Sequence, residues 1–312
     1  MKVFRDIDEI PVIQKPVLTI GSFDGVHLGH QQILNRINTL AKEHDGESVV
    51  ITFYPHPREV IYPKDNSLTL LNTLQEKLYL LEKAGIDNVV VVPFSIEFSQ
   101  QNPVEYIEKF LVEKFHPKFI VIGYDHRFGL NREGSIYLLN QYKDVHGFSV
   151  IEIQKQELKN IAISSTEIRK AIKGNTYKKA NALLGYPYLL SGEVISGKQI
   201  GKQLGFPTAN LKIANKNKLI PPEGIYAVRI IHLDRKFDGM LYIGNRPSLN
   251  DNGGRSIEIN IFDFNEIIYN EFILVEILSY VRSDQKYDTL EDLKNQLNLD
   301  KKMVQAILKE NK

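Results

Sequence analysis

The runs Val17–Ile20, Ser48–Phe53, Asn88–Val92, Phe119–Ile122 and Ser149–Ile153 are short, apolar and rich in β-branched residues, and helical segments separate them. Continuous apolar strands are buried on both faces, and strands joined through helices lie parallel, because a parallel pair needs a long crossover. The separating segments carry the helical period. Ile33, Leu34, Ile37, Leu40 and Ala41 recur three and four apart, and further helices are expected around Leu74–Lys83, Pro103–Phe115 and Ile136–Tyr142. One parallel sheet with helices on both faces is therefore the expected architecture of the first half. Ligands of such sheets bind beyond the carboxyl ends of the strands, and the turns bearing Asp24, His27, His56, Asp125 and Arg127 all follow strands.

Near residue 184 the texture changes. Short β-like runs at 189–195, 225–233, 237–243, 256–264 and 272–281 are separated by Gly, Pro, Asn and Asp. Ser256–Phe264 alternates apolar and polar residues, the mark of a half-buried antiparallel strand, and several such strands in about 100 residues suggest a small closed barrel. Thr289–Leu297 offers a threonine cap and apolar residues three or four apart, which predicts a C-terminal helix on that barrel. The chain of 312 residues exceeds the usual single domain. The expected division is a Rossmann-like α/β domain over residues 1–183 and a small antiparallel β-barrel with a terminal helix over residues 184–312.

Composition narrows the partners. A net charge of +1 from 39 basic and 38 acidic residues excludes a broad nucleic-acid coat. The absence of cysteine excludes disulfides and thiolate chemistry. The first residues lack the apolar core of a signal peptide, and no stretch is long and apolar enough to span a bilayer. The expectation is a cytoplasmic protein acting on small molecules, without a membrane or nucleic-acid partner.

The turn Thr19-Ile-Gly-Ser-Phe-Asp-Gly-Val-His-Leu-Gly-His30 joins a strand to a helix and places His27 and His30 in the first helical turn. Free N–H groups and the positive end of the helix dipole favour an anion there, and Gly21, Gly25 and Gly29 let a ligand approach the backbone. Residues three apart share a helix face, so both imidazoles can reach one phosphate. The turn is neither a GxxxxGK[ST] phosphate loop nor the GxGxxG of dinucleotide-binding folds, and two histidines without HExxH or cysteine are too few for zinc. Phosphate chemistry on a nucleotide is the reading that remains.

GSFDGVHLGH resembles the HxGH signature of the nucleotidyltransferase superfamily, in the form most similar to bacterial FMN adenylyltransferases. Thr52-Phe-Tyr-Pro-His-Pro57, Gly123-Tyr-Asp-His-Arg-Phe-Gly129 and Ile163-Ser-Ser-Thr-Glu-Ile-Arg169 agree, and Gly205-Phe-Pro-Thr-Ala-Asn210 resembles the signature of riboflavin kinases. Together, in this order, they resemble the bifunctional bacterial riboflavin kinase/FAD synthetase family. The resemblance implies two ATP-dependent steps, riboflavin to FMN and FMN to FAD, with riboflavin, FMN and FAD as substrates or products and Mg2+ accompanying ATP. It implies His27 and His30 as catalytic, and Gly21, Phe23, Asp24, Gly29, Ser164, Ser165, Thr166 and Arg169 as the ATP site of adenylyl transfer. His56, Asp125 and Arg127 are then on the flavin side, with His126 standing where the family usually has phenylalanine.

The segment Ser164-Ser-Thr-Glu-Ile-Arg169 also matches a capping box, with Ser164 as cap and Glu167 three residues on. In the second half, the glycines and lysines of Gly192–Asn210 can wrap phosphates. If Thr208–Asn210 is extended, both side chains leave on one face and can share a magnesium ion. The resemblance places Gly197, Lys202, Thr208 and Asn210 on ATP, Thr208 and Asn210 on the metal, Glu258 as the base and Arg282 on the flavin. The rival reading keeps only FMN adenylylation and makes the barrel a non-catalytic flavin-binding module. Oligomeric state has no signature in the sequence.

Overall fold

The computed structural model describes residues 1–65, 67–124, 126–153, 163–197, 201, 204–245 and 255–310. The chain forms two compact units, Met1–Leu68 with Lys77–Ile163, and Thr69–Glu76 with Ser164–Lys312.

The first unit is built on β1 (Lys2–Phe4), β2 (Val17–Ile20), β3 (Ser48–Tyr54), β4 (Asn88–Pro93), β5 (Phe119–Gly123) and β6 (Ser149–Ile153), in the spatial order β1-β4-β3-β2-β5-β6. Every neighbouring pair is parallel, as the alternation of strands and helices requires. β1 has no sequence signal, being three mostly exposed residues that add to the edge at Asn88–Val90. Val17, Leu18, Val49, Val50, Ile51, Val89 and Val90 are fully buried, which is why these runs carry no polar face. Chain order reverses between β2, whose successors β3 and β4 lie on one side, and β5, which lies on the other. That reversal opens a crevice at the carboxyl ends.

Helices α1 (Leu28–Glu43), α2 (Pro57–Ile61), α3 (Leu74–Lys83) and α4 (Ile96–Ser99) follow β2 to β4. α1 buries Leu34, Ile37, Leu40 and Ala41, the stripe expected from their spacing. The stretch expected as one helix from Pro103 is α5 (Pro103–Glu105), a wide π-helical segment Tyr106–Val112 and α6 (Glu113–Phe115). The wider turn brings Tyr106, Ile107, Phe110 and Leu111 all into the core. α7 (Ile136–His146) ends on Gly147 at φ 71°, a left-handed cap that suits glycine.

The second unit holds α8 (Ser165–Lys173), α9 (Tyr177–Leu184) and six strands: β7 (Tyr188–Ile195), β8 (Ala209–Lys212), β9 (Gly224–His232), β10 (Arg235–Asn245), β11 (Arg255–Ile261) and β12 (Phe272–Arg282). They close into a barrel in the order β10-β11-β8-β7-β12-β9, with every pair antiparallel. By compactness α8 and α9 go with this barrel. Asn181 Nδ2 donates to Ile277 O at 3.0 Å, and its Oδ1 accepts from Tyr188 N at 2.9 Å. The alternating strand stops at Ile261 rather than Phe264, where the chain turns through Asp263 at φ 53°.

The terminal helix, α10 (Leu290–Glu310), runs well past Leu297. Thr289 Oγ1 accepts from Asp292 N at 3.1 Å to start it. Val304 and Leu308, four apart, extend its buried stripe onto Ala227, Met240 and Phe262 of the barrel.

A buried ion pair ties residues 69–76 to the barrel. Lys218 Nζ lies 2.5 Å from Glu76 Oε2 with neither side chain exposed, and it donates to Leu71 O and Leu189 O at 2.6 Å each. Glu76 accepts in addition from Ser191 Oγ and Thr73 N, both at 2.9 Å. Such saturation is the condition under which a buried pair is tolerated, and removing one partner strands the other charge. Lys218→Met should therefore lower unfolding free energy by about 3–5 kcal/mol, while Glu76→Gln with Lys218→Met should recover most of it. Urea unfolding midpoints test this, and equal midpoints for the single and double variants would contradict it.

Candidate active sites

The first site grows from the turn between β2 and α1. Phe23, Gly25 and Val26 take positive φ of 47°, 96° and 34°, two of them at residues that rarely do so. A Cβ on Gly21 would stand 3.1 Å from the Phe23 ring, so glycine lets Phe23 fold over the turn. Phe23 is buried and meets His30 edge-on at 5.2 Å. His27 is the N-cap of α1, its Nδ1 accepting from His30 N at 3.3 Å. A neutral ring that accepts at Nδ1 carries its proton on Nε2, which becomes a donor.

The two imidazoles are stacked, centroids 3.7 Å apart and planes 12° from parallel. Burial first, then the electrostatic influence of His27 and Lys77, push the His30 pKa well below its usual value of 6.5. His30 is therefore an uncharged ring at neutral pH. Its Nδ1 is buried without a hydrogen-bond partner among the described residues.

Asp24 of the same turn is buried, and so is Lys77 of α3, whose Nζ donates to Thr52 Oγ1 of β3 at 3.1 Å. Burial lowers the Lys77 pKa to about 8, against the pull of Asp24 and Glu59. Sequence reasoning passed over Lys77. A single lysine in an amphipathic helix reads as solvated, and only the packing of α3 reveals it as buried.

His56 caps α2. Its Nδ1 accepts from Arg58 N at 3.2 Å, and its own N donates to Glu59 Oε2 at 2.9 Å. Arg127 is exposed, and Asp125 lies outside the described residues. Phe128 stacks on Tyr106 at 5.0 Å, which anchors that loop to the core.

In the second unit, Ser164 caps α8 by accepting from Glu167 N at 3.3 Å. Glu167 bonds Lys170 at 2.9 Å and Lys179 at 3.8 Å. Ser165 is half-buried and Thr166 exposed. Arg169 is half-buried, with Nε donating to Thr69 O at 2.6 Å.

The barrel brings Thr208, Asn210 and Glu258 together through the β8–β11 pair, in which Glu258 stands opposite Asn210. Thr208 Oγ1 donates to Glu258 Oε2 at 3.2 Å, and Ser256 Oγ donates to Oε1 at 2.8 Å, so a hydroxyl holds each carboxylate oxygen. Asn260 Nδ2 donates to Pro207 O at 2.7 Å and fixes the approach to Thr208. Asn210 is buried against Gly197, where an added Cβ would overlap its amide. Gly197 is thus required by close packing.

No cluster of three or more His, Cys, Asp or Glu side chains fit for a metal occurs among the described residues. Thr208 and Asn210 instead offer the hard oxygens that suit magnesium. Lys202 lies outside the described residues. Arg282 grips the fully buried Asp300 of α10 through Nε at 2.8 Å and a terminal nitrogen at 2.6 Å, and also donates to Ser283 O.

The FAD synthetase family model matches residues 10–167, and the riboflavin kinase family model matches residues 184–308. A bifunctional riboflavin kinase/FMN adenylyltransferase of Buchnera aphidicola from Acyrthosiphon pisum is 36% identical over 98% of this chain and 97% of its own. The protein of the same name in Escherichia coli K12 is 33% identical over 96% of each chain. A crystal structure named as a macrolide-efflux protein from Streptococcus pneumoniae matches with a TM-score of 0.84 at 30% identity, over 97% of this chain and 98% of that one. Among the described residues, no helix is long and apolar enough to cross a membrane.

In the free protein the His30 ring should stay neutral until well below pH 6.5, because burial, His27 and Lys77 all lower its pKa. Imidazole 1H–15N spectra across pH 5 to 8 read this directly, and a midpoint at or above 6.5 would contradict the geometry.

Proposed function

Because this chain belongs to the family of bifunctional riboflavin kinase/FMN adenylyltransferases, we propose that the imidazole pair of residues 1–183 carries adenylyl transfer and the Thr208–Asn210–Glu258 group of residues 184–312 carries phosphorylation. The observation that carries this reading is the stacked, capped histidine pair at the start of α1.

In adenylyl transfer an FMN phosphate oxygen attacks the α-phosphorus of ATP. The bond from that phosphorus to the β-bridging oxygen breaks, and pyrophosphate leaves. Such a transfer needs in-line positioning and donors around the equatorial oxygens more than covalent help. His27 Nε2–H and the N–H groups opening α1 supply donors, and the helix dipole adds positive potential. His30, uncharged in the free protein, gains positive character as phosphate charge arrives beside it. Gly21 and Gly29 leave room for the phosphates, Phe23 and Asp24 hold the turn, and Ser164, Ser165, Thr166 and Arg169 are the further ATP contacts. The helix start at Ser164 and the resemblance support that last assignment. His56, Asp125 and Arg127 are the flavin-side groups, supported by their position after strands.

In the kinase step Glu258 takes the proton of the ribityl 5′-hydroxyl, whose oxygen attacks the γ-phosphorus of ATP as ADP leaves. Ser256 and Thr208 hold the carboxylate oriented for that proton. Thr208 Oγ1 and the Asn210 carbonyl would hold magnesium, and the Thr208 hydroxyl keeps a lone pair for it while donating to Glu258. Bound there with ATP, the ion would neutralise charge on the β- and γ-phosphates. Gly197 and Lys202 are further groups for the ATP phosphates, an assignment that the resemblance supports. Arg282, locked to Asp300, shapes the flavin side from the barrel wall. The substrates are ATP, riboflavin and FMN, and the setting is the cytoplasm, a reading supported by the cysteine-free composition.

His30→Ala should cut FAD formation from FMN and ATP by at least about 100-fold while leaving riboflavin phosphorylation intact. Glu258→Ala should do the reverse, by at least about 100-fold. Loss of both activities in either variant, read by chromatography of FMN and FAD, would contradict the two-site assignment.

A further inference from the structure

In the antiparallel pair of β10 with β11, Tyr242 stands directly opposite Glu258, and in the pair of β11 with β8, Asn210 stands opposite Glu258 from the other side. Three adjacent strands thus set Tyr242, Glu258 and Asn210 in one row, and facing residues in such a row have Cβ atoms about 5 Å apart. The Tyr242 ring leans along β10 over Gly244, where an added Cβ would stand 1.9 Å from the phenol oxygen. Gly244 in turn pairs with Ser256, whose hydroxyl holds Glu258. The phenol donates to Asp284 Oδ2 at 3.0 Å. Asp284 lies just beyond Arg282, which its bidentate grip on Asp300 and its bond to Ser283 O fix at the end of β12.

We propose that Tyr242 is the acceptor-side contact of the kinase step, a phenol that Asp284 holds in place and that lays the ribityl chain so that its terminal hydroxyl meets Glu258. Asp284 is then a positioning residue that acts through Tyr242. This rests on the assignment of Thr208, Asn210 and Glu258 to that reaction.

Phosphoryl transfer keeps the attacking and leaving oxygens roughly in line, on opposite sides of the γ-phosphorus. With the phosphates drawn to Thr208 and Asn210, the alcohol comes to Glu258 from the other side of the row, and the residue on that side is Tyr242. The part of riboflavin within one side chain of the reacting hydroxyl is its polyol chain. Polyol hydroxyls need acceptors, and a phenol oxygen whose proton is committed to Asp284 offers its lone pairs to a second donor. The half-buried ring also packs against the apolar cluster that includes Ile225 and Met240, so it gives the chain a fixed wall beside the base. Placing the nucleophile within reach of its base in this way lowers the barrier without new chemistry.

Steady-state phosphorylation of riboflavin by Tyr242→Phe, Tyr242→Ala and Asp284→Ala, each in the full chain, tests the proposal. Tyr242→Phe should raise the riboflavin KM about 3- to 10-fold, the scale of one lost hydrogen bond, and Tyr242→Ala should raise it further because the wall goes with the hydroxyl. The KM for ATP should not change in either variant, which also reports that the barrel is intact. Asp284→Ala should raise the riboflavin KM on its own and add nothing in a chain that already carries Tyr242→Phe, since it acts through the phenol. An unchanged riboflavin KM in Tyr242→Phe, equal rises for riboflavin and ATP, or a full further loss from Asp284→Ala in the Tyr242→Phe chain overturns the proposal. Should Glu258→Ala phosphorylate riboflavin normally, the site assignment falls and the proposal with it; an inactive Glu258→Ala beside unaltered Tyr242 variants strikes the proposal alone.

Discussion

Because β2, β3 and β5 run parallel, they leave the sheet at one edge and deliver the turn Gly21–His30, the cap at His56 and the loop ending at Phe128 to that edge together. The reversal of strand order between β2 and β5 keeps that edge open. Everything proposed for the first site follows from this placement. The helix begins where the strand ends, its first turn carries both imidazoles, and the left-handed residues Phe23 and Val26 bend the chain tightly enough to cap α1 with His27.

The barrel reaches the same end by antiparallel register. Pairing Glu258 with Asn210 sets a carboxylate opposite an amide, and the extended approach to β8 brings Thr208 alongside. Among the described residues, each carboxylate buried deep in this unit has its charge answered. Glu76 meets Lys218, and Asp300 meets a bidentate Arg282. Buried ionic groups are tolerated only when paired and saturated with hydrogen bonds. Glu258, by contrast, is held by two neutral hydroxyls, which orient a carboxylate without cancelling it.

The parallel sheet was legible because its strands are buried on both faces and their apolar runs are unbroken, and the barrel because Ser256–Phe264 alternates. The histidine turn was legible because glycines and two imidazoles at a strand–helix junction have few other uses. What escaped was decided by tertiary packing. β1 is too short to carry a period, and Val304 and Leu308 prolong α10 beyond the stretch whose spacing was plain. The Arg282–Asp300 clamp joins residues 18 apart in sequence, and no local pattern announces it. Lys77 looks like any helix-surface lysine until α3 packs against β3.

The central claim is that each reaction has its own complete set of groups, one around His27 and His30 and one around Thr208 and Glu258. Mixing the His30→Ala and Glu258→Ala proteins with riboflavin, ATP and magnesium tests it most directly. The account predicts that FMN released by the first is converted to FAD by the second, so the mixture forms FAD from riboflavin although neither protein does alone. A mixture that accumulates FMN without FAD, or forms neither, would contradict it.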